Sequence, residues 1–550
     1  MFPSLITRRE FIKTTSMAAL AIALPVEVFA AGTTADLVVY GKIFTAENNR
    51  SAEAFAVKDG RFIYVGDKRG AEAFINKGKT EIIDYSGKGL IMPSCGNGHA
   101  HYSMANGIKS AGTIIDRGDS VEKFLTEVVP AAVAKAKAKG ATAIFGQGWR
   151  LLNFQDNMPT RQDLDAICSD IPMYFLDDEC HKALTNTILL VQAGIMNADG
   201  TAGKTEIRGG EIKTDANGIP TGFLSEQAQT YVRSFLDNDN LYTLDMATAN
   251  LADIEHHLLS EGYTMYHEGW GNYFVNMNYY KAARQLDKAG KLHFVLGLPY
   301  EIESWMDVDE ALAKAVDAKK FSSKRVMPNW TEEELTDITR RANENGITMH
   351  VHVMGNAGVT RVVNAFINGG KDEMRNTLVH VYSVNQSDYK RMAEHNIQVA
   401  AGLLRHHADE ELQEDLLKIL PANMADKGYP MKSFFDYGVN ISSHSDYPAL
   451  SGSPDDPFGI MEIALTGVYY PEHAKAWWTE ELITREQALY ALTLGVAKQM
   501  FLENERGSIR QGKYADFLLV NKDVLTCPVK EIHDAKPAAT YFEGKKVFSM

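Results

Sequence analysis

Two histidines separated by one residue, His99 and His101, follow an apolar run that ends at Pro93. Alternate side chains of a β-strand lie on the same face, so this spacing lets two imidazoles point at one atom. Neutral imidazole is the commonest protein ligand for metal ions, and zinc, iron and manganese sites are built in this way. Taken alone, the pair is also compatible with two surface histidines at a strand end.

Further side chains with metal-binding chemistry end other strand-like segments: His350, His352, His380 and Asp446. In a parallel barrel the carboxyl ends of all strands lie on one face, where active sites form. Residues far apart in the sequence can therefore meet there. Within the segment 347–353, His352 is nearer the following turn and is expected to face the site, whereas His350 lies deeper on the same face.

Each candidate also has an ordinary structural interpretation. A histidine in such a position is commonly a hydrogen-bonded core residue or a surface residue. Asp446, two residues before Pro448, also fits a turn or a helix cap. The order of the candidates and their shared placement at strand ends favour a single site.

The middle of the chain alternates strand-like runs with amphipathic helical segments, the pattern of βα units and a parallel barrel or sheet. Capping boxes mark two helix starts, Thr331 with Glu334 and Thr484 with Gln487. The glycine-rich stretch 201–222 predicts a loop or a hairpin. Strands are predicted at 142–145, 173–176, 263–266, 292–296, 347–353, 377–381, 397–401 and 439–443.

Both ends of the chain instead show short β-runs separated by glycine turns. Asp59-Gly60 divides two runs near the N-terminus, and Glu543-Gly544 divides two near the C-terminus. Asp-Gly between apolar alternations is a strong hairpin signal. We expect the ends to pair into a small β-sandwich beside the α/β domain. The predicted boundaries are 31–92 and 501–550 for the sandwich and 93–500 for the barrel.

The first thirty residues resemble an export signal. Residues 7–13 read TRREFIK, which matches the twin-arginine pattern, and an apolar run at 17–26 follows. Small residues favour cleavage after Ala30. An amphipathic N-terminal helix is the alternative. The pattern predicts export of a folded protein to the periplasm, with the twin-arginine machinery as a partner.

Composition restricts the other partners. The chain has 550 residues and a formal net charge of −15, which argues against nucleic acid or an anionic membrane surface as a partner. Beyond the N-terminus no stretch is long and apolar enough for a stable membrane anchor. The four cysteines form no CxxC pair, which argues against a cysteine-based metal or redox site. A homodimer is left open.

The order H-x-H, His, His and then S-D-x-P at 445–448, framed by β-rich ends, resembles the amidohydrolase superfamily. More narrowly it is similar to amidohydrolase family 3, which includes N-substituted formamide deformylases and YtcJ-like proteins. The likeness runs from about residue 35 to the C-terminus. Local matches are GQGW at 146–149, HKALTN at 181–186, GIPTG at 218–222, HVMGN at 352–356 and GSIRQGKYAD at 507–516.

The resemblance implies a TIM-like (β/α)8 barrel with a β-sandwich and one or two divalent metal ions, zinc first, with iron or manganese as alternatives. His99 and His101 would bind the more buried metal, and His352 and His380 would bind the second. Asp446 would bind metal and act as general base. Metal lowers the pKa of water towards about 7, and a nearby carboxylate can take the proton.

Two further roles follow from the resemblance. His181 matches a family histidine near the substrate and would stabilise an oxyanion, with a buried histidine bonded to a backbone carbonyl as the alternative. In a one-metal site, His380 would act on the substrate, as in deaminase-type members.

The sequence departs from the family near two of these positions. The turn at 94–98 reads SCGNG, where the family usually has a glycine, two apolar residues and an aspartate. Asn356 stands where the family usually has aspartate, and a neutral side chain there would weaken support of the metal ligands.

The largest departure concerns a strand that normally reads V-K-x-F-x-D-G and whose lysine can bridge two metals. Here the segment 319–330 reads KKFSSKRVMPNW, so that strand is expected to be missing or much shortened. Lys324 is the nearest candidate for the bridge, although Arg325 beside it suggests a solvated lysine. Glu268 is the other candidate, with a surface carboxylate as the alternative.

The sequence therefore favours an exported, metal-dependent hydrolase of a non-peptide, amide-type C–N bond in a small molecule. A second hypothesis is a decayed homologue that binds a ligand without turnover, suggested by Asn356 and the shortened strand. A third is a one-metal deaminase or cyclic-amide hydrolase.

Overall fold

The computed structural model describes residues 33–47, 51–178, 180–269, 276–310, 312, 320–323, 330–406, 428–448, 455–468 and 478–550. The predicted export signal and Lys324 lie outside these ranges. Within them, no helix has the length and hydrophobicity needed to cross a membrane.

The strands are numbered in chain order. They are β1 Leu37–Phe44, β2 Ser51–Lys58, β3 Arg61–Gly66, β4 Glu81–Asp84, β5 Leu90–Pro93, β6 Cys95–Ala100, β7 Thr113–Ile114, β8 Ile144–Trp149, β9 Met173–Asp177, β10 Lys182–Thr185, β11 Gly210–Thr214, β12 Pro220–Glu226, β13 Tyr263–Glu268, β14 Val295–Gly297, β15 Tyr300–Glu301, β16 Lys320–Ser323, β17 Thr348–Val353, β18 Thr377–His380, β19 Gln398–Ala401, β20 Ile441–Ser443, β21 Phe517–Val520, β22 Pro537–Phe542 and β23 Lys545–Ser549.

The α-helices span Lys68–Glu72, Tyr102–Ala111, Val121–Lys123, Val129–Lys139, Leu151–Phe154, Arg161–Ile167, Thr187–Gln192, Gln227–Arg233, Asn238–Leu241, Leu244–Ser260, Asn276–Lys288, Glu332–Glu344, Asn356–Gly369, Gln386–Glu394, Met431–Tyr437, Pro457–Thr466, Arg485–Leu492 and Leu494–Gln499. Both expected capping boxes form, at Thr331 with Glu334 and at Thr484 with Gln487.

The two ends of the chain pair as expected, in one eight-stranded sheet ordered β23-β22-β21-β5-β1-β2-β3, with β4 beside β1. The join is antiparallel pairing of β21 with β5. Phe62 of β3 and Phe517 of β21 are four strands apart in this order, yet their ring centroids are 6.5 Å apart. A flat sheet would separate them by about 19 Å, from about 4.8 Å per strand. The sheet is therefore rolled around an aromatic core.

The segments that carry the histidines form two parallel sheets, ordered β14-β13-β6 and β15-β16-β17-β18-β19-β20. Their strand order follows the chain, as βα units require. Along β17 the side chains alternate. Met349, Val351 and Val353 are buried in the apolar core, whereas His350 and His352 lie on the opposite face. This alternation sends the polar side chains of the strand towards the site.

The strand expected to be missing or much shortened is present as the four-residue β16, between β15 and β17. Its polar sequence gave a weak strand signal, because parallel strands usually read as apolar runs.

A closed barrel is not formed by the hydrogen-bonded ladders, which remain divided into these two sheets among the described residues. Two backbone hydrogen bonds join their edges. Asp446 N donates to His99 O at 3.1 Å, and His101 N donates to Tyr447 O at 2.7 Å. The contact brings the end of β6 against the residues that follow β20.

The predicted strands at 142–145 and 173–176 do not pair with the strands that carry the histidines. They fall at β8 and β9, in a separate mixed sheet ordered β11-β12-β10-β9-β8-β7. β7, β8 and β9 are parallel, whereas β10, β11 and β12 pair antiparallel. A buried strand shows the same apolar run in the mixed sheet as in the parallel sheets that carry the histidines. Periodicity therefore could not predict which sheet these strands join. The expected hairpin excursion in 201–222 corresponds to β11 and β12.

Replacing Phe517 with alanine is expected to destabilise the fold by about 3–5 kcal/mol, since it removes a ring from a filled core. Phe517 is fully buried and packs on Phe55 and Tyr541, at ring-centroid distances of 4.9 and 4.2 Å. Thermal unfolding measures the effect. Ile82→Ala is the matched control, because Ile82 lies in the same sheet but is 51% exposed. Equal shifts in the two variants would contradict the rolled core.

Candidate metal centre

Three of the predicted residues form one compact group. The ligand atoms of His99, His380 and Asp446 all lie within 4.8 Å of one another, and all three side chains are buried. His101 joins them through its Nε2, which is 3.2 Å from Asp446 Oδ1. His99 Nε2 is 3.6 Å from the same oxygen, and His380 Nδ1 is 3.8 Å from Oδ2. The Asp446 carboxylate is therefore the centre of the group.

The chain reaches this arrangement through unusual backbone conformations at the ends of two strands. His380, the last residue of β18, has φ 73°, and Asp446, three residues after β20, has φ 54°. Such left-handed conformations cost a non-glycine residue about 1 kcal/mol or more. Both occur at the strand ends that carry the group, which is where stored strain commonly marks a functional site.

Asn97, where the family usually has aspartate, fixes the Asp446 segment. Its Nδ2 donates to Ser445 Oγ at 2.7 Å, and its Oδ1 accepts from Ser445 N at 3.2 Å. An ionised carboxylate can only accept hydrogen bonds, whereas an amide can do both. The asparagine therefore suits this pair of contacts.

The two histidines of β17 take the positions expected from the sequence. His352 is only partly buried, and its ring centroid is 4.5 Å from that of His380. His350 is buried deeper, with Nε2 3.0 Å from His99 Nδ1. His352 thus borders the group from its open side and His350 supports it from below.

Two histidines near the group were not assigned a role from the sequence. His444 is buried, with its ring centroid 5.0 Å from that of His380 and 5.4 Å from that of His99. His267 stacks on His350 at 4.3 Å. His444 precedes Asp446 by two residues, and His267 directly follows the strand predicted at 263–266. Strand alternation could therefore have placed both on the site face.

Glu268 is fully buried, but it lies outside the group of three ligands. Its Oε2 accepts hydrogen bonds from Tyr266 OH at 2.6 Å and from Ser103 N at 3.3 Å. Ser103 lies in the first turn of the helix Tyr102–Ala111, where a negative charge is favourable. Glu268 therefore holds the start of the helix that follows His101. The alternative of a surface carboxylate was wrong.

His181 lies on the mixed sheet, immediately before β10. It is not buried: its side chain is 34% exposed, and its Nδ1 is 3.4 Å from Glu226 Oε1. Its backbone N donates to Asp177 Oδ1 at 2.6 Å. These contacts join His181 to its own sheet, and none of them joins it to the histidine group.

Asn356 opens the helix Asn356–Gly369, and its Nδ2 donates to Asn385 Oδ1 at 2.8 Å. Its backbone N donates to Ser383 Oγ at 3.0 Å. The side chain thus ties together the loops that follow β17 and β18.

The electrostatics of the group favour a neutral His99. Burial lowers the pKa of His99 well below its usual value, and the neighbouring His101 and His350 act in the same direction, while Asp446 opposes them. His99 is therefore neutral at pH 7, with a nitrogen lone pair available to a cation.

The residues present fit a divalent cation. Imidazole nitrogens and one carboxylate are the donor set of zinc, iron and manganese sites. Gly269 leaves room beside them, because a Cβ at this position would lie 2.6 Å from His101 Cε1 and 2.8 Å from His99 Nε2. A side chain here would occupy the space next to the ligand atoms.

A second layer of contacts holds the segments on either side of the group. The rings of Tyr102 and Tyr447 stack at 4.9 Å, and these residues follow His101 and Asp446 directly. Tyr102 OH donates to Asp455 Oδ2 at 3.3 Å, and His257 Nε2 is 2.7 Å from the same oxygen.

Comparison with known proteins identifies the family and several similar chains. A family model described as "Amidohydrolase family" matches residues 81–548. The chain is 26% identical to N-substituted formamide deformylase of Arthrobacter pascens, covering 92% of this chain and 97% of that protein. It is 22% identical to a Bacillus subtilis protein named "Putative amidohydrolase YtcJ", covering 92% of this chain and 98% of that protein.

A similar fold occurs in an uncharacterised metal-dependent hydrolase from Pyrococcus horikoshii, with a TM-score of 0.65 at 18% identity, covering 90% of this chain and 99% of that one. A second such hydrolase, from Pyrococcus furiosus, has a TM-score of 0.63 at 20% identity, covering 89% and 100%.

Replacing Gly269 with alanine is expected to weaken binding of a divalent cation on the order of 10-fold, the effect typical of changes around metal ligands. The added methyl would press on His99 and His101. Metal content and chelator competition measure the loss. Gly355→Ala is the control, since a Cβ at Gly355 would meet nothing within 4 Å. Undiminished binding by Gly269→Ala would contradict the proposed position of the cation.

Stability is expected to depend on His257 in a pH-dependent way. Its hydrogen bond with Asp455 raises the pKa of His257 above its usual value, and Glu261 acts in the same direction, against burial and Lys109. Because the folded-state pKa is raised, protonated His257 stabilises the fold. This stabilisation is fully present below the unfolded-state pKa of about 6.5 and is lost as the pH rises through the higher folded-state pKa. Unfolding of His257→Gln and the unmutated protein should therefore differ more at about pH 6 than at about pH 9. A pH-independent difference would contradict the assignment.

Proposed function

This chain belongs to the amidohydrolase family, and we propose that it is a metal-dependent hydrolase of an amide-type C–N bond in a small molecule. The observation that carries the proposal is the buried group of His99, His380 and Asp446, with ligand atoms within 4.8 Å of one another. The similarity to N-substituted formamide deformylase supports the type of bond.

In this proposal His99, His101 and Asp446 hold the more buried cation. The short distances from both imidazoles to Asp446 Oδ1 support that set. His352 and His380, whose rings are neighbours, hold a second cation when one is bound. Zinc is the first expectation from the donor set, with iron and manganese as alternatives. Lys324 and Glu268 stay candidate bridging ligands, although the hydrogen bonds to Glu268 Oε2 favour its support of the helix.

A divalent cation supplies Lewis acidity, which makes water a stronger acid and polarises a carbonyl group. Asp446 acts as general base: its carboxylate takes a proton from the attacking water as the new C–O bond forms. Asp446 then returns that proton to the nitrogen as the C–N bond breaks, so the products are a carboxylic acid and an amine. We assign His181 to the oxyanion through the family resemblance, and its partly exposed ring is compatible with substrate access.

We also propose that the protein acts in the periplasm after export as a folded unit. The support is the twin-arginine pattern at 7–13 and the apolar run at 17–26. For the fold, we infer that β6 and β13 to β20 form one barrel interrupted between β14 and β15. The hydrogen bonds between the end of β6 and the residues after β20 support that inference.

A one-metal deaminase or cyclic-amide hydrolase is the second candidate. It is favoured by the single group of three close ligands in the described part of the chain. In that case His380 contacts the substrate. One bound metal per chain together with ammonia release would select this candidate. Release of the free amine from N-formyl or N-acyl amines would select the metal-dependent hydrolase of an amide-type bond.

Chelation is expected to abolish turnover, with recovery on addition of zinc, manganese or iron. Asp446→Asn should lower kcat/KM by about 10²–10⁴-fold, the usual contribution of a general base. The substrates are a panel of N-formyl and N-acyl amines. Asp372→Asn is the control, a carboxylate with a 57% exposed side chain paired with His395. Turnover that survives chelation, or an unaffected Asp446→Asn, would contradict the proposal. Metal bound without turnover would favour a decayed, ligand-binding homologue.

A further inference from the structure

His350 lies directly beneath His99, and neither residue is exposed by more than 4%. Nδ1 of His99 and Nε2 of His350 are 3.0 Å apart, and the two rings are nearly parallel, with centroids 5.2 Å apart. On its other side the His350 ring stacks on His267. The position of His350 is fixed further by β17, where its backbone pairs with Thr377 on β18.

In this contact between two imidazoles one nitrogen donates and the other accepts, so its direction is tied to which nitrogen of His99 carries the proton. A neutral imidazole has one N–H and one nitrogen with a free lone pair. Nε2 of His99 faces Asp446, so it must keep its lone pair if His99 is to bind a cation. The proton then lies on Nδ1 and is donated to His350 Nε2. A ligand histidine commonly donates its other N–H in this manner, which sets both tautomer and ring orientation.

We propose that His350 is a positioning residue that holds His99 in the tautomer with its proton on Nδ1 and so keeps Nε2 directed at the cation. The inference rests on the proposed function, since it concerns how one proposed ligand is held. Ring packing alone would be satisfied by an apolar side chain of similar size. The tautomer requires an acceptor at the position of His350 Nε2.

Two substitutions separate packing from hydrogen bonding. In His350→Gln the amide oxygen can reach about as far as Nε2 and can accept the hydrogen bond. In His350→Leu the volume is largely kept but no acceptor remains. Met349→Leu is the control, because Met349 is the buried neighbour on the opposite face of the same strand. Circular dichroism checks that each variant folds.

The measurement is the dissociation constant for zinc, by competition with a chelator, together with nitrogen NMR of histidine-labelled protein in the metal-free state. We expect His350→Leu to bind zinc about 10- to 100-fold more weakly, with His350→Gln and Met349→Leu close to the unmutated protein. The His99 resonances should show the proton on Nδ1 in the unmutated protein and a mixture of tautomers in His350→Leu.

Zinc binding by His350→Leu as tight as in the unmutated protein, or equal losses in the Leu and Gln variants, would overturn the inference. If the unmutated protein bound no divalent metal, the proposed function would fail separately. The tautomer of His99 would then decide alone: a proton on Nδ1 supports the role of His350, and mixed tautomers refute it. If His350→Leu does not fold, two other measurements decide: the tautomer of His99 in the unmutated protein and the zinc affinity of His350→Gln. A proton on Nδ1 and near-normal affinity support the role of His350, and mixed tautomers or a large loss of affinity refute it.

Discussion

The buried carboxylate of Asp446 is the constraint on which the site depends. A charged group removed from water is costly unless an opposite charge or sufficient hydrogen bonds compensate for it. Here its oxygens face the nitrogens of His99, His101 and His380. His99 is neutral at pH 7 because burial lowers its pKa, so it supplies no positive charge. A divalent cation at this position would compensate the carboxylate and use the lone pair of the neutral His99.

The fold serves this arrangement by joining distant parts of the chain at one edge. β6 and the segment after β20 are linked by backbone hydrogen bonds at His99 and His101, so their ligands share one rigid frame. Asn97 and the stacked Tyr102 and Tyr447 reinforce the same joint. Beneath it, His267, His350 and His444 pack their rings against one another or against the ligand histidines. These imidazoles extend the polar site into the core.

Local signals in the sequence predicted much of this structure. The capping box at Thr331 and the turn at Asp59-Gly60 are determined by contacts within a few residues, and both formed. The meeting of His99, His380 and Asp446 was also predictable, because alternation and strand-end placement apply wherever parallel strands lie side by side.

The features that the sequence did not predict depend on contacts between residues far apart in the chain. β8 and β9 show apolar runs like those of the strands that carry the histidines, yet their pairing partners decide which sheet they join, and periodicity does not reveal those partners. Glu268 ended a strand like a ligand, but Tyr266 and the helix start at Ser103 accommodate its carboxylate. The role proposed for His350 depends on the 3.0 Å distance between its Nε2 and Nδ1 of His99, which the sequence does not predict.

Anomalous diffraction from crystals grown with zinc tests the central claim most directly, because it locates the cation without reference to activity. The account predicts a peak about 2.0–2.2 Å from the nearest atoms of His99, His101 and Asp446. Peaks confined to other parts of the molecule, such as His257 and Asp455, or no peak at all in zinc-saturated crystals, would contradict it.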